Sequence, residues 1–269
     1  GVSRPEPRLM RRLILCADDF AQSPGISRGI LALIDAGRLS ATSVFAPSPC
    51  WPEFATELAT RPVDAGLHVN LTEALGMPTR GLGYWLLASQ LRLLSRARLR
   101  DCILNQIDAF TEQLGRLPDY LDGHQHVHAL PVVRQALTDA IARRWPESHR
   151  PYVRRPDRLA SLGDSGFKGK VLRTCVAGFS AHLRRQHLDG PDWFAGLYSL
   201  TPGADFAALM RHWLDMAPDG ALIMCHPGLA DPLPDPIAVT RPLEYAYLMS
   251  ERFAADRAAC DVRLARYRD

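Results

Sequence analysis

Close cysteine spacing is absent. Cys16, Cys50, Cys102, Cys175, Cys225 and Cys260 form no CxxC pair and lie far apart, so no disulfide framework is expected and reduced thiols in a cytoplasmic protein are the reading. No run of about 18 apolar residues exists, which argues against a transmembrane helix. No apolar segment follows the N-terminus either: residues 1–12 carry Pro5, Pro7 and four arginines, so a signal peptide is not expected. Gly1 stands where Met would begin, so residues 1–11 read as a disordered or non-native leader, with Met10 as an alternative start. Charge of one sign does not dominate. The net charge of +3 is nearly balanced, so no nucleic-acid partner is expected. Internal repeats, low-complexity tracts and clear linkers are also missing. Apolar content of 47% and charged content of 23% then place residues 12–269 in a single globular domain.

What is present is an alternation of strands and helices. Residues 13–17 are a continuous apolar run stopping at Asp18-Asp19, the pattern of a buried parallel strand with polar groups at its C-terminal end. Ser23-Pro24 opens a helix that Gly37 stops. Further strands are expected at 41–46, 65–71, 118–122, 152–154, 194–200 and 221–225. Further helices are expected at 51–60, 100–115, 131–145, 169–186, 205–216 and 242–267. The fold class that follows is α/β with a parallel sheet of about seven strands in one domain, a closed or nearly closed (β/α) barrel. Stretches near 72–100 and 155–168 read as insertions.

Polar residues at strand C-termini are where such folds build their sites. The first strand delivers Asp18 and Asp19, the third His68 and Asn70, the fourth Asp122, His124, His126 and His128, and the last His226. Three of the nine histidines fall within residues 122–128, and neutral imidazole is a common metal ligand. Amide hydrolysis needs a nucleophile active near neutral pH and a Lewis acid on the carbonyl, which a metal with open positions supplies. Adjacent aspartates can divide the labour, one binding metal and one taking a proton, while the leaving amine is protonated by a histidine opposite the base. Alternation puts His124, His126 and His128 on one side of an extended chain. His126 reads as a group behind the ligands or facing substrate, and His128 as either functional or structural. Asp122 either orients His124 or caps a turn. Asn70 either meets substrate or holds the loop after His68. Arg154 and Arg155 either contact a sugar or phosphate or form a surface ion pair.

Four motifs occur in order: Ala17-Asp18-Asp19-Phe20, Gly66-Leu67-His68-Val69-Asn70-Leu71-Thr72, Leu121-Asp122-Gly123-His124-Gln125-His126-Val127-His128 and Cys225-His226-Pro227-Gly228. Together they resemble the YdjC/ChbG-like carbohydrate deacetylases, over nearly the whole chain. The resemblance implies a distorted (β/α) barrel that removes acetyl groups from N-acetylated sugars with one divalent metal. Carried over by motif, Asp19, His68 and His124 would be the metal ligands, Asp18 the general base and His226 the acid or electrostatic partner. Zinc comes first among the metals, with magnesium, manganese, cobalt and nickel also compatible. One departure is local: the family pattern continues with Gly after Phe, and Ala21 stands here.

Two rival readings are other metal hydrolases of barrel fold, amidohydrolases or phosphoesterases, and a non-catalytic sugar-binding relative. In the rival hydrolases His-x-His lies on the first strand, whereas here Asp-Asp does. Binding alone needs no base beside a metal. The substrate is read as a free chito-oligosaccharide or a lipid-linked amino sugar such as a polyprenyl-phosphate hexosamine. The lipid reading rests on a local absence. Between Glu73 and Asp101 there is no acidic residue, while Arg80, Arg92, Arg96, Arg98 and Arg100 fall within it. As one helix over 85–100, Leu86, Leu87, Leu91, Leu93 and Leu94 share an arc and Arg92, Arg96 and Arg100 a stripe, which suits either a solvated basic face or peripheral contact with an anionic membrane surface. The expected localisation is cytoplasmic or peripheral at the inner face of the cytoplasmic membrane. A homodimer is compatible with the sequence.

Overall fold

In the computed structural model, which describes residues 9–75 and 79–269, the apolar run at 13–17 lies at the centre of an all-parallel sheet. It belongs to β1 (Arg11–Phe20), and all five of its residues are buried, because a central parallel strand is covered on both faces. On one side β1 pairs with β2 (Ala41–Val44), β2 with β3 (Asp64–Val69), β3 with β4 (Tyr120–Gly123) and β4 with β5 (Tyr152–Val153). On the other side β1 pairs with β7 (Ala221–Cys225), which pairs with β6 (Phe194–Ala195). The expected distorted barrel of seven parallel strands is borne out. Its edges β5 and β6 are two residues each. The gap between them is spanned by the Val153 N–H donating to the Asp189 carbonyl at 2.9 Å and by a bridge from Leu159 to Phe194.

Helices cover the outside: α1 (Pro24–Asp35), α2 (Trp51–Ala59), α3 (Leu82–Gln90), α4 (Arg96–Leu114), α5 (Val133–Arg144), α6 (Phe167–Cys175), α7 (Phe179–Arg185), α8 (Phe206–Met216), α9 (Thr240–Met249) and α10 (Glu251–Ala259). Local chemistry sets their ends. The Ser23 hydroxyl accepts from the Ile26 N–H with Pro24 in the first turn of α1, and Gly115 at φ +83 closes α4. The core is one large apolar cluster between helices and sheet, with a smaller cluster formed by Ile14, Cys16, Tyr120, Tyr152, Phe194 and Met224 among others. All six cysteines are free. Among the described residues no helix is long and apolar enough to cross a membrane.

Three helix expectations are corrected. The helix over 242–267 is two helices and a strand: Ser250, in extended conformation, ends α9 and caps α10, and the chain then forms β8 (Val262–Leu264), pairing with the start of β1. The helix over 169–186 is split into α6 and α7, with Gly178 at φ +82 between them. The helix over 85–100 does not exist as one piece: Arg92 at φ +57 breaks it, and Ser95 caps a fresh start at Arg96. The common arc of leucines and stripe of arginines dissolve with it. Of the N-terminal leader, residues 1–8 fall outside the described residues and Arg11 already opens β1.

Candidate active site

The C-terminal ends of β1, β3, β4 and β7 open on one cavity of about 660 Å³, whose wall includes Asp18, Asp19, His68, His124, His126 and His226. In an extended strand Asp18 and Asp19 would point to opposite faces. Asp19 instead has φ +71, a turn that brings both carboxylates to the cavity. Ala21 follows at φ +72, in the left-handed region that favours glycine, and is held there by its N–H donating to Ser27 Oγ at 2.9 Å. The departure from the family pattern therefore leaves the turn intact with a side chain in a strained place.

Asp19 Oδ1 lies 3.3 Å from His68 Nε2 and 3.3 Å from His124 Nδ1. It is buried without an aligned hydrogen bond, while Asp19 Oδ2 accepts from Arg241 at 2.9 Å. The donor atoms of Asp19, His68 and His124 all lie within 4.8 Å of one another. An orphaned carboxylate oxygen facing two ring nitrogens fits a divalent cation, since buried charge is otherwise paired. The rings are held from behind. His68 Nδ1 donates to Asp122 Oδ1 at 2.7 Å, which orients the ring and turns Nε2 toward Asp19. His124 Nε2 lies 3.3 Å from Glu73 Oε1, and Phe45 packs edge-on against both rings. Asp122 thus orients His68, not His124. Burial opposes charge on His68, but Asp122 together with Asp19 and Asp18 outweighs it and raises the imidazole to about 10; burial likewise opposes charge on His124, and Asp19 and Glu73 raise it.

Asp18 is gripped by Arg154, with Oδ1 accepting from NH2 at 2.6 Å and Oδ2 from NH1 at 2.9 Å. The same guanidinium lies 2.8 Å from Asp122 Oδ2. Burial alone would raise the Asp18 carboxyl, and Arg154 holds it below the ordinary range. His226 Nε2 stands 3.6 Å from Asp18 Oδ2, beside that carboxylate and not opposite it. Its backbone N–H donates to Glu244 at 2.8 Å, and the other Glu244 oxygen accepts from the Tyr198 hydroxyl at 2.5 Å. Cys16, Asp18 and Asp122 form a second close cluster, but the Arg154 cation already sits among them.

Other sequence expectations are redistributed. The loop of 124–129 is a 3-10 turn with Gln125 and His126 at positive φ, so the three histidines do not share a side. His126 reaches the cavity wall and stacks edge-on against Phe194; burial, with Arg154 nearby, keeps it well below its usual range. His128 is structural: Nε2 donates to the Arg154 carbonyl at 2.9 Å, and burial lowers it to about 4. Asn70 holds the loop: its side chain accepts from the Thr72 and Glu73 N–H groups and donates to the Glu73 carbonyl. Arg154, at 1% exposure, is enclosed by Asp18, Asp122 and Cys16 and does not reach the cavity. Arg155 pairs with Asp192 at 2.6 Å, away from that wall. Sequence reasoning missed Glu73, Tyr198, Asp235, Arg241 and Glu244. Glu73 follows the His68 motif directly and Tyr198 falls near the end of the strand expected over 194–200, so both were within reach; the others lie on a loop or α9 with no strand-end signal.

The fold and site define an α/β barrel with an Asp-His-His cluster at the carboxyl end of its strands. The chain belongs to the YdjC-like family: the family model described as YdjC-like protein matches residues 12–259. It is 30% identical over 241 residues to a chitooligosaccharide deacetylase of Yersinia pestis bv. Antiqua (strain Angola), covering 81% of this chain and 82% of that protein. It is 35% identical over 151 residues to a carbohydrate deacetylase of Homo sapiens, covering 50% of this chain and 46% of that protein. The chain thus spans about half the length of the animal relatives it matches. In fold it is similar to a candidate cellobiose-phosphate cleavage protein of Enterococcus faecalis V583, with a TM-score of 0.70 at 19% identity, covering 96% of this chain and 98% of that one.

Proposed function

We propose that the chain is a metal-dependent N-deacetylase of an N-acetylated amino sugar. The observation that carries this reading is the convergence of Asp19 Oδ1, His68 Nε2 and His124 Nδ1 beside the Asp18–His226 pair, in a cavity of ordinary ligand size. The names of the human and Yersinia relatives support it. A divalent cation held by those three donors would polarise the acetyl carbonyl and acidify a water. The donor set suits zinc, cobalt, nickel or manganese. Asp18, kept ionised by Arg154, accepts the proton of the attacking water and holds it loosely. His226, 3.6 Å away, is placed to carry it to the leaving nitrogen. The water oxygen bonds to the acetyl carbon, the C–N bond breaks, and acetate and a free amine leave.

The finer reading is that the sugar carries an apolar group. Beyond the charged cluster part of the cavity wall is aliphatic, with Leu82, Leu172, Leu197, Leu200 and Ile237 among polar Gln125, Ser165, Ser199 and Thr201, and a lipid-linked hexosamine would use the aliphatic part where a free oligosaccharide would not. Arg154 and Arg155 are unplaced for a phosphate; Lys168, on the wall, is the cation that would meet one. The test is acetate release from free diacetylchitobiose and from a polyprenyl-phosphate N-acetylhexosamine, with zinc restored after chelation. Zinc-dependent release supports the deacetylase reading, and faster release from the lipid-linked sugar supports the finer one. No release from either with bound zinc overturns the first, and equal rates overturn the second.

A further inference from the structure

The near-neutral charge of the chain conceals a separation. Residues 74–100 and 165–188 hold ten of the 32 Lys and Arg and none of the 29 Asp and Glu. These two stretches therefore carry +10 and the remainder −7, which together make the net +3. Far apart in sequence, they meet in space. At the start of each helix, Leu82 of α3 and Phe167 of α6 line the same cavity wall. At their ends, Gln90 of α3 donates to the Cys175 carbonyl of α6 at 3.2 Å. The two helices thus both border the cavity at their starts and touch at their ends.

Their outer surface is apolar as well as basic. In α3 only Ser89 and Gln90 carry side chains rich in hydrogen-bonding capacity apart from the Tyr84 hydroxyl and Trp85 N–H, yet the helix lies on the surface. Leu87 is 64% exposed, Leu91 57%, Leu93 74% and Phe167 80%. A helix apolar nearly all round is ordinarily covered, and a contiguous exposed patch marks an interaction site. Arg80, Arg92, Arg98, Lys168 and Lys170 flank these residues along the chain, all exposed and with no carboxylate in salt-bridge range among the described residues. Arg96 and Arg100 do not count toward it, being paired with Asp139 and Asp101.

We infer that the α3–α6 rim docks on an anionic bilayer surface, leucines and Phe167 in the acyl boundary and the cations on the headgroups, with the site mouth facing the membrane. A nucleic acid or other soluble polyanion would use the cations but leave the leucines in water. At nine residues each, α3 and α6 lie in the interface and do not span it. The inference goes beyond the deacetylase reading and does not depend on it.

The test is co-sedimentation of the intact chain with vesicles of phosphatidylcholine, with and without about 30% phosphatidylglycerol, at low and high salt. Binding is expected to the anionic vesicles alone and to weaken with salt. Leu87→Glu/Leu91→Glu is expected to lower the partition at least tenfold. Arg92→Glu and Lys170→Glu are each expected to lower it about fivefold or more, the weight of one cation near such a surface. All four positions are exposed, and unchanged thermal melting confirms that the variants fold. The proposal is overturned if the intact chain stays in the supernatant, if both vesicle types bind alike, or if the leucine variant binds like the parent, which would mark simple polyanion adsorption. Because sedimentation is read without substrate, its failure leaves the deacetylase reading standing.

Discussion

Asp18 and Asp19 are chain neighbours with opposite surroundings. Asp18 has both oxygens committed to Arg154, whereas Asp19 keeps Oδ1 free and turned to two imidazoles. Asp18→Asn is therefore expected to keep bound zinc and to lose about 10²–10⁴-fold in rate, the usual weight of a general base. Asp19→Asn, His68→Ala and His124→Ala are expected to lose the metal itself. Metal content by mass spectrometry beside the rate decides between them, and a metal-free Asp18→Asn with a metal-loaded Asp19→Asn would reverse the two roles. The residues of this cluster were legible in the sequence because each ends a strand within a motif. The role of Arg154 was not. Its partner Asp18 is 136 positions away, and a guanidinium reads as exposed until something buried is found to claim it. Two buried carboxylates beside it make the burial tolerable, since a buried charge persists only when paired.

At the level of elements, all seven strands of the barrel were readable, and their short lengths at the edges and the added β8 were not. β5 and β6, expected over 152–154 and 194–200, shorten to two residues each, and β8, three residues inside the expected helix over 242–267, is too short for any periodicity and exists because β1 supplies a partner. Helix breaks at Arg92 and Gly178 were likewise hidden, since the apolar spacing runs on through both. Strand packing below the site also rests on one glycine that only the structure explains. A Cβ on Gly66 of β3 would lie 2.4 Å from the Tyr120 ring of β4. Tyr120 in turn bonds Ser43 and Cys16 beneath Asp18 and Asp122. Gly66→Ala is expected to cost about 1–3 kcal/mol by overpacking, measured by urea denaturation. Gly66→Ala/Tyr120→Leu should recover part of that loss. Additive losses in the double variant would mean that the ring is not what the glycine accommodates.

Across the whole molecule the two ends of the barrel do different work. The carboxyl ends of the strands hold the site, and the opposite end is closed by the chain's own tail. There Tyr120, Tyr152 and Tyr267 stack in sequence, at 4.9 and 4.2 Å between rings. Asp64, at the start of β3, accepts from the Tyr152 hydroxyl at 2.8 Å and from the Tyr267 N–H at 3.1 Å. This carboxyl ties β3, β5 and the tail together, and nothing in its sequence neighbourhood announces it. Burial raises its pKa, and the two donors offset part of that rise. A carboxyl with a raised folded value contributes stability that is fully present below its unfolded value of about 3.9 and is lost as pH climbs through the folded value. Tyr152→Phe keeps the ring stack but removes a donor to the charged form, so it raises the carboxyl further. The expected loss is about 1.5–3 kcal/mol at pH 7, where the missing bond was to a carboxylate. It shrinks to about 0.5–1.5 kcal/mol near pH 4, where a protonated carboxyl takes its place. Urea denaturation of both proteins at the two pH values measures the difference. An equal loss at both would show that the hydroxyl serves packing and not the buried charge, and that the tail closes the barrel by its rings alone.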